Sequence, residues 1–151
     1  ESAVNEGRVS LRPGVLALIE EALQAGLQLA IATTTSPVNI AALLRAAMGP
    51  DWRTHFAAVG DASSAPVKKP HPQVYQQVLG ELEMPASRCL AFEDSRNGLL
   101  AARAAGLKTI ITPTSFSAHH VFDGALRVLP DLEGTTVADL RAWHAGLAVP
   151  A

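Results

Sequence analysis

The sequence has one cysteine, little charge and no long apolar run, and each shortage removes a class of function. The lone thiol, Cys89, excludes an internal disulfide and a cysteine-built metal cluster. It lies in a short apolar stretch and reads as a packing residue. Lys and Arg number 12 against 14 Asp and Glu, giving a net charge of −2 with no basic run, so nucleic acid is not an expected partner. No stretch approaches the roughly 20 apolar residues a membrane-spanning helix needs, and the N-terminus lacks a signal-peptide pattern, so no membrane partner is expected. The remaining class is a soluble, cytoplasmic, globular protein: 48% of the 151 residues are hydrophobic and only 17% charged, enough for one domain, 1–151, with a real core. The segment from Glu1 to Ser10 is polar and begins without Met, which suggests a fragment, a processed form or a trimmed form.

Along the chain, apolar periodicity alternates between two patterns. Arg12-Pro13-Gly14 is expected to open a helix, with Val15, Leu18, Ile19, Ala22 and Leu23 on one stripe and Gly26 as its left-handed stop. Leu27 to Ala32 is an apolar run broken only by Gln28, with little alternation, the pattern of a strand buried on both faces. Ser36-Pro37 starts a second helix, and Phe56 to Val59 is a weaker strand. A loop from Ala62 to Pro70 leads to a third helix from Pro72, carrying Val74, Val78 and Leu82, with Tyr75 and Leu79 beside that stripe. Cys89 to Phe92 is a strand, Leu99 to Ala105 an alanine-rich helix, Lys108 to Thr112 a strand, Ala125 to Leu129 a final strand and Thr136 to Ala145 a terminal helix. The alternation predicts an α/β fold of three layers, a Rossmann-like, mostly parallel sheet with helices on both faces.

The most informative stretch is Phe92-Glu93-Asp94-Ser95-Arg96-Asn97-Gly98. It sets two adjacent carboxylates at the C-terminal tip of an apolar strand, where a helix is about to begin. Open α/β sheets collect ligands outside the carboxyl ends of their strands, and Mg²⁺ is held by oxygen ligands that include only one or two carboxylates. Acids also suit helix N-termini through the dipole, so the pair gains its weight from company. Thr33 follows the first strand, and Lys69 lies in the loop after the second. A hydroxyl, a cation and an acid pair at successive strand ends form a phosphate-handling set: donors for phosphoryl oxygens, with Lys69 and a metal to neutralise charge from two sides.

These residues also carry a family resemblance. Thr33, Lys69-Pro70 and Phe92-Glu93-Asp94-Ser95, in that order, resemble motifs two to four of the haloacid dehalogenase (HAD) superfamily. More narrowly, LRPGV, IATTTSP, KKPHPQVY, FEDSRNGL and VLPDL are similar to stretches of the CbbY-like sugar-phosphate phosphatases. The resemblance, which runs from about residue 8 to residue 133, implies a HAD core and a Mg²⁺-dependent phosphatase of small phosphorylated sugars working through an aspartyl-phosphate. Xylulose-1,5-bisphosphate is the substrate it suggests. It implies Thr33 as the phosphate-contacting hydroxyl, Thr34 as an added backbone contact, Lys69 as the cation, and Glu93 and Asp94 as Mg²⁺ ligands, Glu93 through water. It also implies an Asp-x-Asp nucleophile on a central strand, followed by a cap, before LRPGV. No Asp occurs between Glu1 and Leu11, so the chain is expected to lack nucleophile and cap and to be inactive alone. The sheet would then miss its central strand, leaving the chain poorly stable or closed by direct pairing of the two flanking strands.

Other readings compete. A sugar-phosphate mutase resembling β-phosphoglucomutase shares these motifs, and an inert Mg²⁺- or phosphate-binding module is the non-enzymatic alternative. A phospho-acceptor signalling domain would need an acceptor Asp that Leu27 to Thr33 does not supply. His119-His120 reads as exposed loop with no third ligand, and His71 as part of a helix start. Asp61 either orients Lys69 or caps a turn. Trp52 and Trp143 read as core or partly covered packing residues.

Overall fold

The computed structural model describes residues 14–33, 37–61, 63, 65, 67–114 and 121–145. Thr34 of the candidate site, Pro13 and His119-His120 lie outside them. Among these residues five helices and five strands run in the order α1 (Val15–Gln24), β1 (Ala30–Ala32), α2 (Pro37–Met48), β2 (Ala58–Gly60), α3 (Gln73–Leu82), β3 (Leu90–Glu93), α4 (Arg96–Ala104), β4 (Lys108–Ile111), β5 (Arg127–Val128) and α5 (Val137–His144). Turns of 3-10 helix at Trp52–His55 and Ala86–Arg88 were not anticipated from periodicity; each is only about one turn long, too short to print a repeat.

Local chemistry sets the element ends. α1 stops where Gly26 takes φ +79°, which lets its N–H reach Leu23 O at 3.1 Å and the Leu27 N–H reach Ala22 O at 3.0 Å. That pair of bonds satisfies carbonyls the helix end would leave bare. α5 starts in a capping box: Thr136 Oγ1 accepts from Asp139 N–H and Asp139 Oδ2 from Thr136 N–H, both at 3.1 Å. A third bond at that end comes from far away, the Val137 N–H donating to Glu21 Oε1 at 3.0 Å.

Every strand pairing among the described residues is parallel. β1 pairs β2 in the register Ala30↔Ala58 to Ala32↔Gly60, and β3 pairs β4 from Leu90↔Lys108 to Glu93↔Ile111, with β5 beyond. Helices cover both faces, as alternation predicted. On one face Val74 and Tyr75 of α3 and Ala101 and Ala102 of α4 pack with Ala91 of β3 and Ala32 of β1. Ala101 and Ala102 are fully buried, and their small side chains let α4 lie close against the strands. On the other face Leu18 and Ala22 of α1 and Val137 and Leu140 of α5 pack with Ile110, Leu29 and Leu90. A third cluster joins Ile40 and Leu44 of α2 to Trp52 and Phe56, against Leu29, Ile31 and Val59. Trp52 is buried, edge-on to Phe56 at 6.2 Å, and Trp143 is half-buried under the Arg127 guanidinium, so both are packing residues.

The strands form two sheets, β1–β2 and β3–β4–β5, the arrangement of a sheet that lacks its central strand. Among the described residues β1 and β3 do not pair, so direct closure of the gap is not the outcome. The apolar clusters give the reason: Leu29 and Leu90 share one cluster and Ala32 and Ala91 another, so helices on both faces hold the two strands at their spacing. Leu27 at 38% and Phe92 at 40% are exposed, in segments that sequence alone would bury. No helix of the described residues is long and apolar enough to cross a membrane.

Candidate active site

Parallel strands deliver their C-terminal ends to one rim. β1 ends at Ala32 with Thr33 next, and the Thr33 N–H continues the ladder to Gly60 O at 3.0 Å. β3 ends at Glu93, one residue later than the predicted strand, with Asp94 beside it. The Thr112 N–H, just past β4, donates to Glu93 O at 2.9 Å and fixes that backbone.

Lys69 joins the two sheets. Its Nζ donates to Ala32 O at 3.1 Å, the carbonyl preceding Thr33, and forms an ion pair with Glu93 Oε2, the residue preceding Asp94. The sequence-predicted Thr33, Lys69, Glu93 and Asp94 are therefore brought to one rim. The pair is well covered, with the side chains of Lys69 and Glu93 only 14% and 8% exposed, so water screens it weakly. Asp94 is exposed and Thr33 half-buried.

The loop before α3 explains how Lys69 gets there. Asp61 Oδ1 accepts from the Ser63 N–H at 2.9 Å and Oγ at 2.8 Å, and Asp61 O from the Ala65 N–H. Of its two readings, turn capping is therefore what these bonds display. Gln73 Oε1 accepts from Val67 N–H at 2.7 Å, and His71 Nδ1 from Gln73 N–H at 3.1 Å. His71 thus finishes the helix start, as its sequence position suggested. The Lys69–Pro70 peptide is cis.

Two participants escaped sequence reasoning. Tyr75 was placed beside the α3 stripe, yet its hydroxyl donates to Glu93 Oε2 and its ring lies 5.2 Å beneath the Lys69 ammonium. Burial first, then the Glu93 carboxylate, pushes the phenol well above its ordinary pKa, so it stays a donor. Gly98 is the second. A Cβ there would stand 2.0 Å from Glu93 Oε1, so only glycine lets the first turn of α4 close over the carboxylate. Ser95 caps that turn, its Oγ accepting from the Gly98 N–H at 3.1 Å. A glycine five residues after the strand's last acid, in the first turn of a helix, was the available signal. Cys89 is half-buried, and burial raises its thiol pKa against the opposing pull of Arg88, the profile of an unreactive thiol.

No group of three or more His, Cys, Asp or Glu gathers among the described residues. The donor set is two neighbouring carboxylates, which fits Mg²⁺ better than a softer ion, because Mg²⁺ keeps waters and shares substrate phosphate oxygens. With Glu93 Oε2 engaged by Lys69 and Tyr75, Asp94 is the carboxylate on the solvent side of that set. A groove lined by Arg103, Gly106, Leu107, Lys108 and 124–126 lies at the opposite, N-terminal end of β4 and contributes nothing to this rim.

Residues 2–106 match the family model of the haloacid dehalogenase-like hydrolases. The chain is 51% identical over 164 aligned residues to the plasmid-encoded CbbY protein of Cupriavidus necator, covering 98% of this chain and 65% of that protein. Its fold matches the crystal structure of CbbY from Rhodobacter sphaeroides in complex with phosphate, with a TM-score of 0.86 and 42% identity over 93% of this chain and 63% of that one. A mutant of the same protein in complex with xylulose-(1,5)bisphosphate matches with a TM-score of 0.86 and 43% identity over 92% and 62% of the respective chains. The chain thus spans somewhat under two thirds of the length of these relatives.

Proposed function

The chain belongs to the haloacid dehalogenase-like hydrolases, and from that premise we propose that it carries the phosphate- and metal-binding rim of a Mg²⁺-dependent sugar-phosphate phosphatase. One observation supports this most: Lys69 bridges the end of β1, beside Thr33, to the end of β3, beside Asp94. In this reading the Thr33 hydroxyl and neighbouring backbone N–H groups, Thr34 included, donate to phosphoryl oxygens. Lys69, held between Ala32 O and Glu93, neutralises charge on the phosphoryl group as it develops. Asp94, with Glu93 through a water, would hold the metal. Bound Mg²⁺ would supply further neutralisation of phosphate charge. The crystallised relative in complex with xylulose-(1,5)bisphosphate makes that compound the proposed substrate. The single thiol suits a reducing cytoplasmic setting.

The 151 residues contain no Asp-x-Asp pair, so the aspartyl nucleophile of this reading is not among them, and the chain alone is proposed to be inactive. With Mg²⁺ and an aryl phosphate, the chain should hydrolyse at the buffer rate. Joined to the N-terminal part of a CbbY relative it should turn over, and Lys69→Ala or Asp94→Ala should then each cost on the order of a hundredfold or more in kcat/KM. Turnover by the chain alone that disappears on Asp94→Ala would refute the inactivity. Either variant performing like its parent would remove the role given to that residue.

A further inference from the structure

The phenol of Tyr75 is a buried polar group that phosphate handling does not require, and its contacts give it a task. Tyr75 is 6% exposed, in the first turn of α3 and on the face that packs on Ala91 and Ala32. Its ring supports Lys69 from below, and its hydroxyl shares Glu93 Oε2 with the lysine ammonium. The other carboxylate oxygen, Oε1, is walled by Gly98. A glutamate at a strand tip has several rotamers, some aimed at solvent beside Asp94. The phenol and the glycine leave it one, directed at Lys69.

We infer that Tyr75 is a positioning residue for the phosphate-binding lysine: its hydroxyl pins the Glu93 carboxylate, and the pinned carboxylate holds the Lys69 ammonium at the rim between β1 and β3. The inference rests on the proposed role of Lys69 and adds what sets its direction. A lysine has four rotatable bonds, and an ammonium left to roam a rim loses affinity for an anion by the entropy of fixing it on binding. A hydrogen bond to a charged group is the appropriate strength for this, about 1.5–3 kcal/mol, which converts to roughly ten- to a hundredfold in affinity.

The test uses Tyr75→Phe in the 151-residue chain, because it keeps the ring under Lys69 and removes only the hydroxyl. Two readouts are followed: the ¹⁵Nζ resonance of Lys69, visible when the ammonium exchanges slowly in a fixed pair, and the dissociation constant for inorganic phosphate by ³¹P NMR. The expected result is loss of the resonance and phosphate binding weaker by about tenfold or more, with the fold retained by circular dichroism. An unchanged resonance, or unchanged phosphate affinity where the parent binds, overturns the inference. If the parent binds no phosphate yet the resonance still vanishes in Tyr75→Phe, the positioning stands and the functional reading of Lys69 falls. Should Tyr75→Phe not fold, Glu93→Gln reads the same link from its other end, and a persistent Lys69 resonance there overturns the inference equally.

Discussion

Replacing Gly98 by alanine should damage the chain through a side chain that is not in α4 at all. The added Cβ would lie 2.0 Å from Glu93 Oε1 and 2.4 Å from its Cδ, well inside contact distance. Backbone on both sides is fixed, at Glu93 by the Thr112 N–H and at Gly98 by the Ser95 cap, so the carboxylate must move. A shift of more than an ångström takes Oε2 away from Lys69 and Tyr75 together, leaving a covered ammonium with Ala32 O alone and a buried phenol without its acceptor. Two hydrogen bonds to a charged group are worth about 1.5–3 kcal/mol each, and alanine returns about 1 kcal/mol of helix propensity, so a net loss of about 2–5 kcal/mol is expected. Urea unfolding followed by circular dichroism measures it, with Glu93→Ala as the second corner of a double-mutant cycle. In the Glu93→Ala background nothing remains to collide, and Gly98→Ala should become neutral or stabilising by up to about 1 kcal/mol. A Gly98→Ala chain as stable as its parent, or one equally destabilised with and without Glu93, would show that the wall against Oε1 is not what glycine provides.

The sole tyrosine makes a second prediction simple to read, since the near-UV phenolate signal can come only from Tyr75. The folded chain should ionise it well above the ordinary value, and the urea-unfolded chain at about 10. A raised folded pKa gives stability that is complete below the unfolded pKa and is lost above it, because the unfolded chain releases its proton first. Unfolding free energy should therefore fall above pH about 10, by up to about 1.4 kcal/mol per pH unit, and Tyr75→Phe should lack that slope; an ordinary titration in the folded chain would contradict the burial and the Glu93 contact. A third prediction concerns the long-range cap on α5: Glu21→Ala should cost about 1 kcal/mol by denaturant midpoint, while exposed Glu20→Ala should stay within about 0.5 kcal/mol. Equal effects at both positions would mean the Val137 N–H is satisfied some other way.

Periodicity carried the helices and the parallel class because their signals are local. Leu18 and Ala22, or Val74 and Val78, print the same stripe in the sequence that they bury in the fold. Strand ends were less legible. β1 forms only from Ala30, although the apolar run begins at Leu27, since apolarity marks burial and pairing needs a partner strand in register. Placing Glu93 inside β3 also needed the partner, Ile111, which sequence does not display. The candidate site was legible where charged groups stand out, Glu93 and Asp94 at a strand end and Lys69 in the loop before α3. Tyr75 was hidden because an aromatic on a helix stripe is ordinarily core, and here it is core with its hydroxyl aimed outward at Glu93. Gly98 was hidden because what makes it necessary is a side chain on another element.

Lys69 also ties the site to the weakest part of the architecture. The two sheets share no ladder among the described residues; packing of helices on both faces sets the distance between β1 and β3, and Lys69 touches both. Packing contacts are individually small and yield more readily than strand hydrogen bonds, so any slackening between the sheets lengthens one of the two Lys69 contacts before it unpairs a strand. The ammonium can keep Ala32 O or Glu93 when the sheets part, and the covered carboxylate retains the stronger hold because its bond is charge-assisted. Lys69 would then follow β3, leaving Thr33 behind on β1, and the two groups proposed to meet one anion would part. If Lys69 has its proposed role, whatever fixes the spacing of β1 and β3 fixes phosphate affinity as well, so stability and phosphate binding should fall together in variants of Leu29 or Leu90, the side chains that reach one cluster from the two strands.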